Sequence, residues 1–202
     1  IGVSRGLGDV YKRQVQDFCY EFNSWGFREQ ELSSLKGQKV ILCVGDSMVV
    51  NLGGPISNSW PSLLQDKFDI PVINLGTPAV GNDGIKYIYE QAIDYFDVCA
   101  TFVMYSHFHR RIGKNMSLTS NYYTDKENFC HFNSNRLSNA IECAIPYWCY
   151  SPSEQTYLDK LGIFYLKESD FDYNEFKKIP RRFSVFKKQY KKYISKGWPS
   201  YK

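Results

Sequence analysis

Short apolar runs alternate along this chain with stretches of helical periodicity. Val40-Ile41-Leu42-Cys43-Val44 is of strand length and rich in β-branched residues. It follows the polar Lys36-Gly37-Gln38-Lys39 and stops at Gly45-Asp46-Ser47. An unbroken apolar run of this kind predicts a strand buried on both faces of a parallel sheet. Residues 48–58 contain Gly53-Gly54-Pro55 and predict a loop. Asn58 or Ser59 then caps a helix with Pro61 in its first turn and Trp60, Leu63, Leu64 and Phe68 at helical spacing. Ile70-Pro71-Val72-Ile73-Asn74-Leu75 predicts a second strand, followed by a loop of small residues from Gly76 to Asp83. A helix over 83–95 carries Ile85, Ile88, Tyr89 and Ala92 on one face. Val98-Cys99-Ala100-Thr101-Phe102-Val103-Met104-Tyr105 predicts the third strand. Beyond it, 135–145 reads as a helix ended by Pro146, and Ser153 reads as the cap of another that reaches about Gly162. Phe183, Phe186, Tyr190, Tyr193 and Ile194 form an amphipathic stripe.

Strand–helix–strand–helix–strand order implies an α/β fold: a three-layer α/β/α sandwich with a central parallel sheet and right-handed crossovers. Open sheets of this class place their chemistry at the carboxyl ends of the strands. Here those ends carry Asp46-Ser47, a Gly/Ala-rich loop, and Ser106-His107-Phe108-His109-Arg110-Arg111. Ser47, just past a glycine that permits a tight turn, is a candidate nucleophile. The same Asp46-Ser47 pair also reads simply as a cap for the next helix.

Composition narrows the field. Ser4-Arg5-Gly6-Leu7-Gly8-Asp9-Val10-Tyr11-Lys12-Arg13-Gln14 resembles one reading frame of a transposase adapter used in sequencing libraries. Residues 1–14 are therefore read as a non-native scar, and 15–202 as a single domain. Setting the scar aside lowers the formal charge from +4 to +2. A near-neutral balance gives no argument for nucleic acid or an anionic membrane as partner. No apolar run approaches the ~20 residues of a membrane span. The six cysteines, Cys19, Cys43, Cys99, Cys130, Cys143 and Cys149, contain no Cys-x-x-Cys pair, and Cys43 and Cys99 sit inside strand-like runs. Buried thiols in a reducing compartment fit this usage better than a disulfide framework or a zinc site.

Several stretches, taken in order, resemble the SGNH (GDSL-type) hydrolase family over roughly 20–111, and more loosely beyond. Phe22-Asn23-Ser24-Trp25-Gly26-Phe27-Arg28 resembles the family's Asn-x-x-Gly-Phe-Arg lead-in. Ile41-Leu42-Cys43-Val44-Gly45-Asp46-Ser47 matches its first block. Trp60-Pro61 with Leu63-Leu64 resembles the helix that follows. Asn74-Leu75-Gly76-Thr77-Pro78-Ala79-Val80-Gly81-Asn82-Asp83 resembles the second block as found in viral and environmental members. The resemblance implies a flavodoxin-like sheet and a serine-dependent ester hydrolase acting on a small acyl ester, of a glycan or a lipid-like molecule. Ser47 would be its nucleophile, and no metal or organic cofactor would be required. It implies oxyanion N–H groups from Ser47 and from the position held by Ala79, with Gly81 two residues on. Asp46, Asn82 and Arg110 are the accompanying binding candidates, Arg110 toward an acidic or sugar substrate.

Two departures stand out. Where the family's third block is Gly-x-Asn-Asp, this chain has Tyr105-Ser106-His107-Phe108-His109. His107, nearest the missing asparagine, is the candidate third oxyanion donor; the plainer reading makes it a polar loop residue. The family's Asp-x-x-His or Asp-x-His-Pro base segment is also absent. His131 has no carboxylate two or three residues before it. The base is accordingly expected beyond Lys202, in a longer protein of which this chain is a piece. A second class remains open: a non-catalytic glycan-binding or structural module that kept the fold without the base. A nucleotide-binding domain ranks last, since no strand is followed by Gly-x-Gly-x-x-Gly. Residues 177–202 hold ten Lys/Arg and no acid. They read as the solvated face of a helix packed by its aromatic stripe, rather than as an anion-binding surface.

Overall fold

The computed structural model describes residues 19–108, 110–112, 118–120 and 132–170. Among the described residues, four parallel strands form the central sheet: β1 (Lys39–Gly45), β2 (Val72–Gly76), β3 (Asp97–Tyr105) and β6 (Ile141–Ala144), in the order β2-β1-β3-β6. A separate antiparallel pair, β4 (Arg110–Ile112) and β5 (Leu118–Ser120), follows β3. The α-helices that concern the site are α1 (Ser47–Val50), α2 (Trp60–Gln65), α3 (Asn82–Ile93) and α4 (Pro152–Lys160).

Alternation along β1 explains the layers. Val40, Leu42 and Val44 point into one apolar cluster with Ile85 and Ala92 of α3 and Leu158 of α4. Ile41 and Cys43 point into a second cluster with Val49 of α1, against which Trp60 and Leu64 of α2 pack. Both faces of the strand are covered, which is why it reads as an uninterrupted apolar run. The expected α/β architecture with a central parallel sheet is the observed one.

The structure corrects several local expectations. Residues 47–50 form a helix rather than the start of a loop, because Asp46 caps it and Asn51 closes it at φ 57. On α2, Leu63 is exposed, and Phe68, also exposed, lies past the helix end at Gln65, so only Trp60 and Leu64 meet the sheet. Residues 141–144, read as helix, are strand β6. Their helical spacing gives way to backbone pairing with the open edge of β3, from Phe102↔Ile141 to Tyr105↔Ala144. The Tyr105 hydroxyl fixes this register by donating to Glu142 (2.7 Å), whose carboxylate also pairs with Arg136. The cap of α4 is Ser151, in a reciprocal capping box with Glu154, rather than Ser153. Cys99 is exposed because it is the extra residue of a bulge: Val40 pairs with Val98 and Ile41 with Ala100. The stripe over 183–194 lies outside the described residues. Among the described residues, no helix is long and apolar enough to cross a membrane.

Two glycines let α1 lie close against the strand ends. A Cβ on Gly45 would stand 2.4 Å from Val49 Cγ2 and 2.8 Å from the Met104 carbonyl oxygen. One on Gly76 would stand 2.7 Å from the Val50 nitrogen. Gly45→Ala is therefore expected to destabilise the fold by about 1–3 kcal/mol, the usual cost of overpacking. At roughly 2–4 °C per kcal/mol for a domain of this size, a thermal melt resolves the loss. A variant that melts with the wild type would show that α1 does not press on β1 there.

Candidate active site

The site is assembled at the carboxyl ends of β1, β2 and β3. Past Gly45 the chain enters an extended conformation at Asp46, whose Oδ1 accepts the Met48 N–H at 2.9 Å and so caps α1. Its other oxygen, Oδ2, accepts the Ser106 hydroxyl at 2.7 Å and Nη1 of Arg110 at 3.1 Å. Arg110 Nη1 also donates to Ser106 Oγ at 3.1 Å. Asp46 is 2% exposed, so its charge is buried, and these donors replace the water it has lost.

Ser106 extends the network to the third strand end. Its N–H donates to Asn82 Oδ1 at 2.8 Å, and Asn82 opens α3, directly after the β2 loop. The Tyr150 hydroxyl donates to the Tyr105 and Ser106 carbonyls at 3.1 and 3.2 Å. Asp46, Ser106 and Asn82 are all buried. They join the three strand ends into one unit, and their polar groups face protein rather than the surface.

Ser47 is the first residue of α1 and half-buried. Its hydroxyl has no hydrogen-bond partner among the described residues. Its N–H belongs to the first turn of a helix, where amides have no partner within the helix. On the β2 side, Val80 N–H donates to Thr77 O at 3.4 Å, closing a four-residue turn with Pro78 second and Ala79 third. Ala79 stands at φ 61, in the left-handed region that favours glycine, and is exposed. Pro at the second position and a positive φ at the third are the requirements of a type II turn. Gly81, by contrast, is buried at φ −90 and serves as the cap position of α3. Of the two oxyanion candidates, Ala79 thus has the glycine-like backbone.

His107 is half-buried, with Nδ1 at 3.1 Å from the Cys149 carbonyl oxygen. A carbonyl only accepts, so Nδ1 carries a proton. In the neutral ring Nε2 is then an acceptor; it donates only in the imidazolium. His109 and His131 lie outside the described residues. Arg110 keeps part of its side chain, 19%, exposed while it pairs with Asp46.

Cys149, whose carbonyl meets His107, also carries a thiol. Burial, and after it the negative Asp46, pushes its pKa up to about 12, against the opposing effect of Arg110. It is therefore a protonated thiol at neutral pH, the unreactive form of cysteine. Burial likewise holds the Tyr150 hydroxyl in its protonated, donating form.

The sequence placed Asp46, Ser47, Ala79, Gly81, Asn82, His107 and Arg110 at one sheet edge, and the structure places them there. It placed Ser106 at the third strand end but gave it no role, since a small hydroxyl there carries no distinctive signal. It missed Tyr150, which reaches the site from 44 residues beyond Ser106 with no local pattern to announce it.

No family model matches the chain, and no curated protein matches it. Among solved structures it is similar to the psychrotrophic esterase EstA from Pseudoalteromonas sp., at 15% identity, 63% of this chain, 76% of that chain and a TM-score of 0.40. It is similar to AlinE4, an SGNH-hydrolase family esterase, at 14% identity, 80% of this chain, 97% of that chain and a TM-score of 0.38. A G-D-S-L family protein from Desulfitobacterium hafniense DCB-2 matches at 14% identity, 63% of this chain, 76% of that chain and a TM-score of 0.39. The functional reading rests on the site's own residues.

Two measurements check this geometry. Ala79→Gly is expected to be neutral or to stabilise by up to about 1 kcal/mol, because relief of a left-handed alanine (~1–2 kcal/mol) outweighs the added unfolded-state entropy of glycine (~0.4–1 kcal/mol). A loss of about 1 kcal/mol in urea unfolding, as for glycine in a helix interior, would contradict the turn. In the native protein at pH 8, iodoacetamide is expected to modify the exposed Cys19 and Cys99 and to leave Cys149 intact. Rapid alkylation of Cys149, read by peptide mass, would contradict its raised pKa.

Proposed function

We propose that this chain carries the nucleophile side of an SGNH-type serine ester hydrolase acting on a small acyl ester of a glycan or lipid-like alcohol. The observation that carries the reading is Ser47 itself. It is a half-buried serine at the carboxyl end of a central parallel strand, on the first turn of a helix whose cap is locked by a buried carboxylate. Its hydroxyl has no partner among the described residues.

Ser47 Oγ attacks the ester carbonyl and gives up its proton to a base that comes from outside the described residues. The carbonyl oxygen gathers negative charge as the tetrahedral intermediate forms. The Ser47 N–H and the Ala79 N–H are the proposed donors to it, with His107 as a third in its imidazolium form. Donors fixed before the reaction are worth about 2.7–4 kcal/mol each at such a centre. Expulsion of the alcohol leaves an acyl-serine, which water then hydrolyses. Arg110 has its charge committed to Asp46 and an exposed flank. It is proposed to hold the turn and to contact a polar or acidic part of the substrate from that flank.

The test is hydrolysis of p-nitrophenyl acetate by the complete protein. Ser47→Ala is expected to abolish turnover above background while leaving the melting temperature within a degree or two. Equal turnover by Ser47→Ala would overturn the reading. Absence of turnover in the complete wild-type protein, together with retained binding to a glycan array, would favour the non-catalytic module.

A further inference from the structure

The lead-in over residues 23–29 is accounted for by neither the sheet nor the Ser47 chemistry, yet it is built with unusual care. Asn23 folds it on itself: its Oδ1 accepts the Trp25 and Phe27 N–H groups, both at 3.0 Å, and its Nδ2 donates to Gln30 O at 2.9 Å. Gly26 turns the chain at φ 83. The outcome is to deliver two charged side chains, Arg28 and Glu29, inward.

Arg28 is 2% exposed. Its Nη1 donates to the carbonyls of Val50 (3.2 Å), Asn51 (3.0 Å) and Gly54 (2.9 Å). These lie at the carboxyl end of α1 and in the turn that follows. The guanidinium carbon also stands 4.4 Å from the centre of the Tyr20 ring, whose hydroxyl accepts the Gly53 N–H at 2.6 Å. Glu29 accepts the Asn74 N–H at 2.8 Å on the outer edge of β2. Asn74 in turn donates from Nδ2 to Val49 O at 3.0 Å and accepts the Gly76 N–H at 3.0 Å.

The carbonyls of Val49, Val50 and Asn51 are thus all received by side chains from other parts of the chain. A helix of one turn cannot stabilise itself, since nucleation is not repaid by propagation. Its carboxyl end also carries partial negative charge that a cation favours. Asp46 fixes the amino end of α1, and Arg28 fixes the carboxyl end. Ser47 lies between these two anchors, so its Oγ position depends on both.

We propose that Arg28 is a positioning residue for Ser47. Held by the 23–29 lead-in, it locks the carboxyl end of the nucleophile helix and keeps the serine at the geometry of attack. This rests on the reading of Ser47 as nucleophile. Its first consequence, a helix rigidified by Arg28, does not.

Arg28→Met and Arg28→Lys are compared with wild type in the complete protein by amide hydrogen exchange and by steady-state hydrolysis of p-nitrophenyl acetate. In Arg28→Met, the amides of 48–54 are expected to exchange at least tenfold faster while those of β1 and β3 stay at wild-type rates. The kcat is expected to fall at least tenfold with KM within twofold, because misplacement of a reacting atom by about 1 Å costs up to ~10²-fold. Arg28→Lys, which keeps the charge but not the fork, is expected to recover part of both effects. If Arg28→Met loses protection throughout the sheet, Arg28→Lys alone decides, by the same local exchange and kcat criteria. Unchanged exchange over 48–54, or unchanged kcat with faster exchange, would overturn the proposal. A wild-type protein without Ser47-dependent turnover would overturn the nucleophile reading, and with it the positioning role, while the exchange data would still show whether Arg28 rigidifies α1.

Discussion

The site depends on one buried carboxylate. Asp46 is taken out of water at the end of β1, and burying a carboxylate costs several kcal/mol unless it is paired and hydrogen-bonded. It collects an amide from its own turn, a hydroxyl from the end of β3 and a guanidinium from the start of β4. Each donor comes from a different position in the chain, so satisfying the charge obliges those positions to meet. Parallel pairing alone would bring the strands side by side. The Asp46 requirement is what sets the turns beyond them in register and places Ser47 at the first turn of α1.

Backbone constraints act in the same direction. Gly45 and Gly76 leave no room for a side chain because α1 presses on both strand ends. Ala79 accepts a left-handed conformation in which glycine would be easier. Strain of about 1 kcal/mol persists where the surroundings over-determine the backbone, and such positions concentrate at functional turns. The close approach of α1, the Ala79 turn and the buried polar network all fall at the carboxyl edge of the sheet. Along the strands themselves the packing is ordinary alternation of apolar side chains.

The sequence carried much of this, but unevenly. The buried strands were legible because both faces of β1 are covered, leaving a continuous apolar run. Gly45-Asp46-Ser47 was legible as two alternatives, cap or nucleophile turn; the cap is now placed on Asp46, with Ser47 beginning the helix it caps. Strand β6 was not legible: Ile141 and Ala144 fit a helix as well as a strand, and only the open edge of β3 decides. The roles of Ser106 and Tyr150 were hidden because they are bonds to groups far away in the chain. Arg28 was visible as part of a motif, but its reach to carbonyls 22–26 residues on has no counterpart in local periodicity.

The central claim is that the turn held by Asp46 presents Ser47 as the reacting group. Its most direct test is exposure of the complete protein to a fluorophosphonate, followed by intact mass and peptide mapping. If Ser47 is the nucleophile, one phosphonyl group is added and it maps to Ser47. An unmodified protein under conditions that label a known serine esterase, or an adduct on any other residue, would contradict it.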